Sequence, residues 1–153
     1  MAQEIGRPVP SKRIPSVLTR EEVGSVLSLM DGIPGLLARL LYGTGMRHME
    51  GLSLRVKDVD FERHVIVVRD GKGGKDRVVM LPHTVVQPLR EQLERSKALW
   101  AADRAAQRAG VYLPHALEAK YPRAGQSWAW HWVFASPTLA RPAKWSGASA
   151  PFV

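Results

Sequence analysis

The first apolar stretch of the chain repeats at the period of an α-helix. Thr19 and Glu22 have the spacing of a capping box, in which each side chain bonds the other residue's backbone N–H. Apolar residues then recur over 23–30, and Asp31-Gly32 is a stop signal. The pattern predicts one amphipathic helix between these two signals.

Two further helices are predicted before the pattern changes. The second begins at Pro34, carries apolar residues at helical spacing, and ends where two glycines flank Thr44. The third is short and covers Arg47 to Leu54, where apolar and polar residues again alternate at a helical period. The glycine-rich segment between them predicts a tight turn.

A β-hairpin is predicted next. His64 to Arg69 contains a β-branched run, and Arg77 to Leu81 contains a second one. The connection from Asp70 to Asp76 is rich in glycine and lysine and has a length that closes a hairpin. We therefore expect an antiparallel pair of strands with a basic tip.

The remainder is mostly helical. A long helix is predicted over Thr84 to Gln107 and a helical turn near Pro114 to Lys120, followed by aromatic residues that alternate at a period of two from Trp128 to Phe134. The fold class is therefore α+β, mainly helical with a small antiparallel sheet. Residues 1–18 are predicted to be a linker, 19–136 the domain, and 137–153 a poorly ordered tail.

The net charge and the apolar segments of the chain indicate which kinds of partner it binds. The 153 residues contain 22 Lys+Arg and 14 Asp+Glu, a formal net charge of +8. Such a surplus favours a polyanionic partner, because each cation that contacts a phosphate releases counterions. The longest apolar stretch, Ile33 to Tyr42, is too short to cross a bilayer, and the N-terminus has no signal-peptide core. We expect a cytoplasmic protein that binds nucleic acid and no membrane.

Several familiar sites are excluded by residue type or spacing. The chain has no cysteine, so disulfides and thiolate metal sites are impossible. Asp76 follows Gly74-Lys75 where a phosphate-binding P-loop needs Ser or Thr. The five histidines lack the spacing of a metal pair, and we expect no metal and no cofactor.

Two segments together carry the strongest signal. Gly43 to Glu50 contains the pattern T-G-x-R-x-x-E, and the hairpin connection contains G-K-G-G-K-D-R. In this order they resemble the N-terminal half of a tyrosine recombinase catalytic domain. The resemblance implies that Arg47 grips a scissile phosphate, that Lys72 protonates the departing 5′ oxygen, and that Glu50 orients the site. A plain salt bridge from Glu50 to Arg47 or Arg55 is an alternative for that glutamate.

The chain is similar to integron integrases in particular. The similarity lies in Leu52 to Phe61, in Ala119 to Gly125, and in the tryptophan segment that follows. Integron integrases act on sites folded from one DNA strand, with bases flipped out of the hairpin. The resemblance therefore implies hairpin DNA as partner.

The DNA-contact residues are expected to be basic or aromatic. Lys75 and Arg77 either contact backbone phosphates or solvate the hairpin edge. The tryptophans either pack into a core or stack on an unpaired base. The complete set of predicted DNA-binding residues is Lys75, Arg77, Lys120, Arg123, Trp128, Trp130 and Trp132.

The rest of the family's catalytic set has no match after Ser136. Tyr42 is predicted to pack, and neither Tyr112 nor Tyr121 lies where the family has its nucleophile. We therefore expect a truncated recombinase that binds DNA without cleaving it. The alternatives are a non-catalytic module that pairs with a full-length recombinase, and a gene fragment without function. Uncovered apolar faces would also favour self-association.

Overall fold

The computed structural model describes residues 16–69, 74–113 and 117–136. The predicted tail, most of the predicted linker, and Lys72 in the predicted hairpin connection lie outside these ranges. The helices are α1 (Arg20–Ser28), α2 (Gly32–Thr44), α3 (His48–Leu52), α4 (His83–Ala105) and α5 (Leu117–Lys120). The strands are β1 (Val59–Asp60), β2 (Val65–Val68) and β3 (Arg77–Met80). Short 3₁₀ turns cover Val56–Asp58, Ala124–Gln126 and Trp128–Trp130.

Local signals set the helix ends. The capping box at the start of α1 is confirmed, because the Glu22 N–H donates to Thr19 Oγ1 (3.2 Å) and the Thr19 N–H to Glu22 Oε2 (2.7 Å). Helix α2 begins at Gly32, two residues before the predicted start at Pro34, and ends at Gly45, whose φ of 67° is left-handed. A left-handed residue after the last turn is a common way for a helix to end.

The predicted hairpin is present, and a third strand extends it. Strands β2 and β3 are antiparallel, with Ile66 opposite Val79. Strand β1 pairs with the other edge of β2, so the sheet order is β1-β2-β3. The sequence did not predict β1, because two residues are too few to show a strand period.

One core joins α2, α4 and the inner face of the sheet. Apolar side chains from these elements are almost completely buried against each other, which is the main source of stability in a domain of this kind. Its most buried members are Leu40, Ile66, Leu81, Val85, Leu89 and Val133. The tyrosine that was expected to pack with them, Tyr42, is 56% exposed, so that prediction is wrong. Tyr42 lies about 200° around α2 from Leu40 and therefore on the opposite face.

The segment after α5 is anchored to α4 by two buried polar side chains. Ser96 Oγ (2.6 Å) and Gln92 Nε2 (3.1 Å) both donate to the carbonyl of Val133. The residues with alternating aromatic side chains, 128–134, begin with a 3₁₀ turn, and Trp132 then forms a single antiparallel bridge with Arg55. This segment belongs to none of the three strands of the sheet.

The outer face of the sheet is apolar. Residues opposite each other on neighbouring strands share a face, and the pairs Val65–Met80 and Val67–Val78 lie on the side away from the core. Val78 is 64% exposed and Met80 is 67% exposed. Within the described ranges, no helix is both long enough and apolar enough to span a membrane.

Candidate nucleic-acid interface

A tight turn between α2 and α3 presents Arg47. The Thr44 hydroxyl donates to the Leu40 carbonyl (2.7 Å) and accepts from the Met46 N–H (3.3 Å). Gly45 reverses the chain, and the Met46 side chain is buried beneath the turn. Arg47 therefore stands at the N-terminus of α3, and 56% of its side chain is exposed.

Glu50 is the centre of the charged cluster around Arg47. Its carboxylate accepts from the Arg47 backbone N–H (2.8 Å) and from Arg47 Nη1 (3.0 Å). Arg77, on β3, donates Nη1 to Oε1 (2.8 Å) and Nη2 to Oε2 (2.6 Å). The Glu50 side chain is only 9% exposed, so one buried carboxylate fixes two guanidinium groups.

These contacts keep Glu50 ionised. The hydrogen bonds from Arg77 lower the pKa of Glu50 from 4.5 to about 2, against the opposing effect of burial. The same contact raises the pKa of Arg77. The salt bridge between Glu50 and Arg47, one of the two expected alternatives, is present, and Glu50 also pairs with Arg77. The other alternative, a bridge to Arg55, is wrong because Arg55 donates to the Trp130 and Tyr112 carbonyls. The terminal nitrogens of Arg77 are engaged by Glu50, and contact of Arg77 with DNA stays a prediction.

Ion pairs also hold the base of the hairpin. Arg69 Nε donates to the buried Asp58 (2.7 Å), and its Nη1 lies 3.3 Å from Asp76 across the hairpin. Lys75 lies just before β3, in the part of the hairpin connection that the structure describes, and it is exposed. Lys72 lies outside the described residues, so its approach to Arg47 stays a prediction.

The second part of the interface is built on Arg55, which the sequence analysis considered only as an alternative partner of Glu50. Its guanidinium is buried and donates to the carbonyls of Trp130 (2.7 Å) and Tyr112 (2.8 Å). Its Cζ lies 3.7 Å from the centre of the Trp132 ring, a cation–π contact. Burial lowers the pKa of Arg55 to about 10, which leaves it charged at neutral pH.

The three predicted tryptophans have different surroundings. Trp128 packs on Trp100 and on His131, with ring centres 5.9 and 5.8 Å apart. Trp132 lies under the Arg55 guanidinium. Trp130 carries the Lys57 ammonium 3.1 Å from its ring centre. The packing interpretation therefore describes Trp128 and Trp132 well.

His131 is a packing residue. It is 6% exposed, and burial lowers the pKa of its imidazole. Its Nε2 is buried without a hydrogen-bond partner among the described residues. This arrangement favours the neutral imidazole.

A cleft of about 740 Å³ lies beside Trp130. Two aromatic side chains, Trp130 and Tyr121, form parts of its wall, and Arg123 lies at its edge. Lys120 is close by, with its ammonium 5.4 Å from the centre of the Tyr121 ring. The cleft is lined by Leu117, Tyr121, Pro122, Arg123, Ala124, Ser127 and Trp130.

Of the predicted DNA-binding residues, Trp130 and Arg123 line this cleft, whereas Trp128 and Trp132 do not. The sequence missed Tyr121 and Lys57 as members of this region. Tyr121 lies in the segment from Ala119 to Gly125 that resembles integron integrases, so the sequence contained a signal for it. No sequence signal pointed to Lys57, because its partner Trp130 is remote in the chain.

The chemistry of the described residues is cationic and aromatic. Within residues 16–69, 74–113 and 117–136, no group of three or more His, Asp or Glu side chains could hold a metal ion. The arrangement offers guanidinium and ammonium groups for phosphates, and ring faces for bases.

Comparison with known proteins decides the family. The Phage integrase family is matched over residues 17–137. The chain belongs to this family. A protein of Escherichia coli named integrase/recombinase is 60% identical over 136 residues, which cover 89% of this chain and 40% of that protein.

More distant relatives are similar over a shorter range. Tyrosine recombinase XerA of Thermococcus onnurineus is 43% identical over 96 residues, covering 61% of this chain and 34% of that protein. A crystal structure of XerA recombinase is 30% identical, with a TM-score of 0.47 over 60% of this chain and 32% of that one. The chain thus spans about two fifths of the length of the E. coli relative and a third of XerA.

Proposed function

We propose that this chain is the phosphate-holding and base-holding part of an integron-type tyrosine recombinase, which binds hairpins folded from a single DNA strand. The observation that carries the proposal is the exposed Arg47 guanidinium, held on the buried Glu50 carboxylate beside the base of the hairpin. A guanidinium oriented in this way can give two parallel hydrogen bonds to the non-bridging oxygens of a phosphodiester.

Each charged residue has a separate role in this proposal. Arg47 binds the scissile phosphate, and Glu50 orients Arg47 without touching DNA. Lys72 on the hairpin tip protonates the 5′ oxygen as it departs. Lys75 and Arg77 stand on the same hairpin, where Lys75 contacts backbone phosphates and Arg77 holds the strand to Glu50.

The cleft beside Trp130 receives an unpaired base. Trp130 and Tyr121 offer ring faces, and base stacking on aromatic side chains does not require a particular base sequence. Arg123 lines the cleft and the Lys120 ammonium lies 5.4 Å from the centre of the Tyr121 ring, so both cations can neutralise phosphates on either side of that base. This division explains how one chain binds both a duplex stem and an extrahelical nucleotide.

Binding to two DNA hairpins tests this function. The hairpins share one stem, and only the first carries a single unpaired base. We expect tighter binding to the first, and binding to both that weakens steeply as salt increases. Trp130→Ala should reduce affinity for the first hairpin by about 5-fold to 100-fold, the range for loss of one stacked base, and leave the second unchanged.

The control for Trp130→Ala is Trp128→Phe, because Trp128 packs on Trp100 and His131 outside the cleft. This variant should bind both hairpins like the unmodified chain. Equal losses of affinity for both hairpins in Trp130→Ala would refute the base cleft. Arg47→Ala should instead weaken both complexes alike, because a phosphate contact carries no sequence information.

We also propose that the 153 residues do not cleave DNA without a further polypeptide. The covalent step needs a tyrosine at the scissile phosphate, and the proposal assigns that role to none of Tyr42, Tyr112 and Tyr121. Incubation with nicked hairpin DNA, followed by denaturing electrophoresis, should show no protein–DNA adduct. An adduct that disappears in Tyr42→Phe would overturn this statement.

The apolar outer face of the sheet favours a second candidate, a module that pairs with a full-length recombinase or with itself. Val78 and Met80 are exposed side by side with Val65 and Val67, a patch that a partner would cover. Val78→Lys should abolish such pairing in light scattering and leave hairpin binding intact. If pairing persists in this variant, the outer face is not the contact surface.

A further inference from the structure

Arg55 connects three parts of the chain through one guanidinium. It is 7% exposed, donates to the Tyr112 and Trp130 carbonyls, and covers the ring of Trp132. These contacts reach 57 and 75 residues along the chain. A planar fork with several donors can satisfy such an arrangement, whereas an ammonium on a flexible stem cannot.

Backbone hydrogen bonds on both sides of Arg55 continue the connection. The Val56 N–H donates to the His131 carbonyl (3.0 Å), and the Val133 N–H donates to the Leu54 carbonyl (2.9 Å). The segment 54–56 therefore lies directly against 130–133. This segment begins two residues after the end of α3, the helix that carries Glu50.

Lys57 acts on the same tryptophan from the side chain. Its ammonium lies 3.1 Å from the centre of the Trp130 ring, so it covers one face of the indole. Arg55 binds the carbonyl of Trp130, and its Cζ lies 5.4 Å from the centre of the Trp130 ring. Both cations therefore contact Trp130, which lines the cleft.

We infer that Arg55 is a positioning residue for the base cleft: it holds Trp130 in the orientation that accepts an unpaired base, without touching DNA. The role of the cleft in this inference rests on the proposed function. The position of Trp130 rests only on the contacts described above. These two parts can be tested separately. A pre-oriented ring loses less conformational entropy when a base binds.

Fluorine NMR on protein labelled with 5-fluorotryptophan tests the geometric part in the absence of DNA. The chain has five tryptophans, and Trp130→Phe identifies the resonance of Trp130. In Arg55→Lys we expect the Trp130 resonance to shift or broaden, while that of Trp100 stays in place. The matched control is Arg95→Lys, an exposed position on α4, which should leave every resonance unchanged. An unchanged Trp130 resonance in Arg55→Lys would overturn the inference.

The two hairpins test the functional part. For the unmodified chain we measure the ratio of affinities for the hairpins with and without the unpaired base. In Arg55→Lys this ratio should fall by about tenfold, on the scale of one lost stacking contact, while affinity for the fully paired hairpin stays the same. An unchanged ratio together with a shifted resonance would refute the positioning role.

The outcomes separate the inference from the proposed function. If the unmodified chain does not distinguish the hairpins but Trp130 moves in Arg55→Lys, the base cleft fails and the geometric part stands. If Arg55→Lys does not fold, Trp132→Leu carries the test, because it removes the ring under the guanidinium and keeps both hydrogen bonds of Arg55. That variant should shift the Trp130 resonance and lower the affinity ratio by a smaller factor, and no change in either would overturn the inference.

Discussion

Arg77 on β3 grips the Glu50 carboxylate on α3 with both terminal nitrogens, at 2.8 and 2.6 Å. Bidentate contacts between guanidinium and carboxylate are among the strongest hydrogen bonds in proteins. Because Glu50 also binds Arg47, the pair ties the hairpin to the turn that presents the exposed guanidinium. The position of Arg47 therefore depends on a residue of a different element.

Replacing Glu50 by Gln should destabilise the protein at neutral pH and by a markedly smaller amount at pH 2.5. The pKa of Glu50 is about 2 in the folded protein and 4.5 without its partners, so its contribution is complete above pH 4.5 and is lost as the pH falls toward 2. Water screens the partly exposed Arg77, so we expect a loss of about 1–2 kcal/mol in the free energy of unfolding at pH 7.

Urea unfolding at pH 7 and at pH 2.5 measures this effect. Glu94→Gln, at an exposed position on α4, is the control and should change stability by less than about 0.5 kcal/mol at either pH. A loss in Glu50→Gln that is the same at both pH values would mean that ionisation of Glu50 is not the cause.

Two glycine substitutions should have opposite effects. Gly45 has a φ of 67°, and alanine there should cost about 1–2 kcal/mol and displace Arg47. Gly24 lies inside α1 with open space around it, and alanine there should add about 0.5–1 kcal/mol. Thermal unfolding of the two variants checks both signs, and stabilisation by Gly45→Ala would contradict the left-handed turn.

Leu40 and Tyr42 lie two positions apart on α2 and should differ strongly in their response to alanine. Leu40 is completely buried, and its truncation should cost about 2–5 kcal/mol because a cavity remains in the core. Tyr42 is 56% exposed, and its truncation should change stability by about 0.5 kcal/mol or less. Similar losses in chemical denaturation would show that the two faces of α2 have been assigned wrongly.

The stability of the protein should fall as the pH drops below 6.5. Burial lowers the pKa of His131 in the folded protein below that value, so the unfolded chain takes up a proton first and unfolding becomes easier. The free energy of unfolding, measured between pH 8 and pH 5, should show this decrease. His131→Gln should remove it, whereas His48→Gln, at an exposed position, should retain it.

The turn between α2 and α3 and the helices themselves could be predicted, because the sequence signals for them are local. The Thr19–Glu22 capping box spans three residues, and the glycine that ends α2 acts through its own φ. The hairpin was equally accessible, since two β-branched runs and a short glycine-rich connection allow few other arrangements. Strand β1 could not be predicted, because its two residues form a strand only by hydrogen bonding to β2.

The partners of the charged and aromatic residues could not be predicted in the same way. Nothing near Arg55 indicated that it would bind the Trp130 carbonyl 75 residues later, or that Lys57 would cover the ring of Trp130. The period of two over 128–134 indicated burial on one side, but the chain forms a 3₁₀ turn there and gives each tryptophan different neighbours. Hydrophobic periodicity indicates which side chains are favoured to leave water. It does not indicate which group each side chain contacts in the folded protein.

The linear chain thus specified its helices, its hairpin and its family, since backbone dihedrals and hydrophobic spacing act over a few residues. Packing assigned Glu50 to Arg77 and made Trp130, rather than Trp128 or Trp132, the wall of the cleft. Those assignments depend on distances between elements that are remote in sequence. Such distances are set when the core around Leu40 and Ile66 closes and brings the elements together.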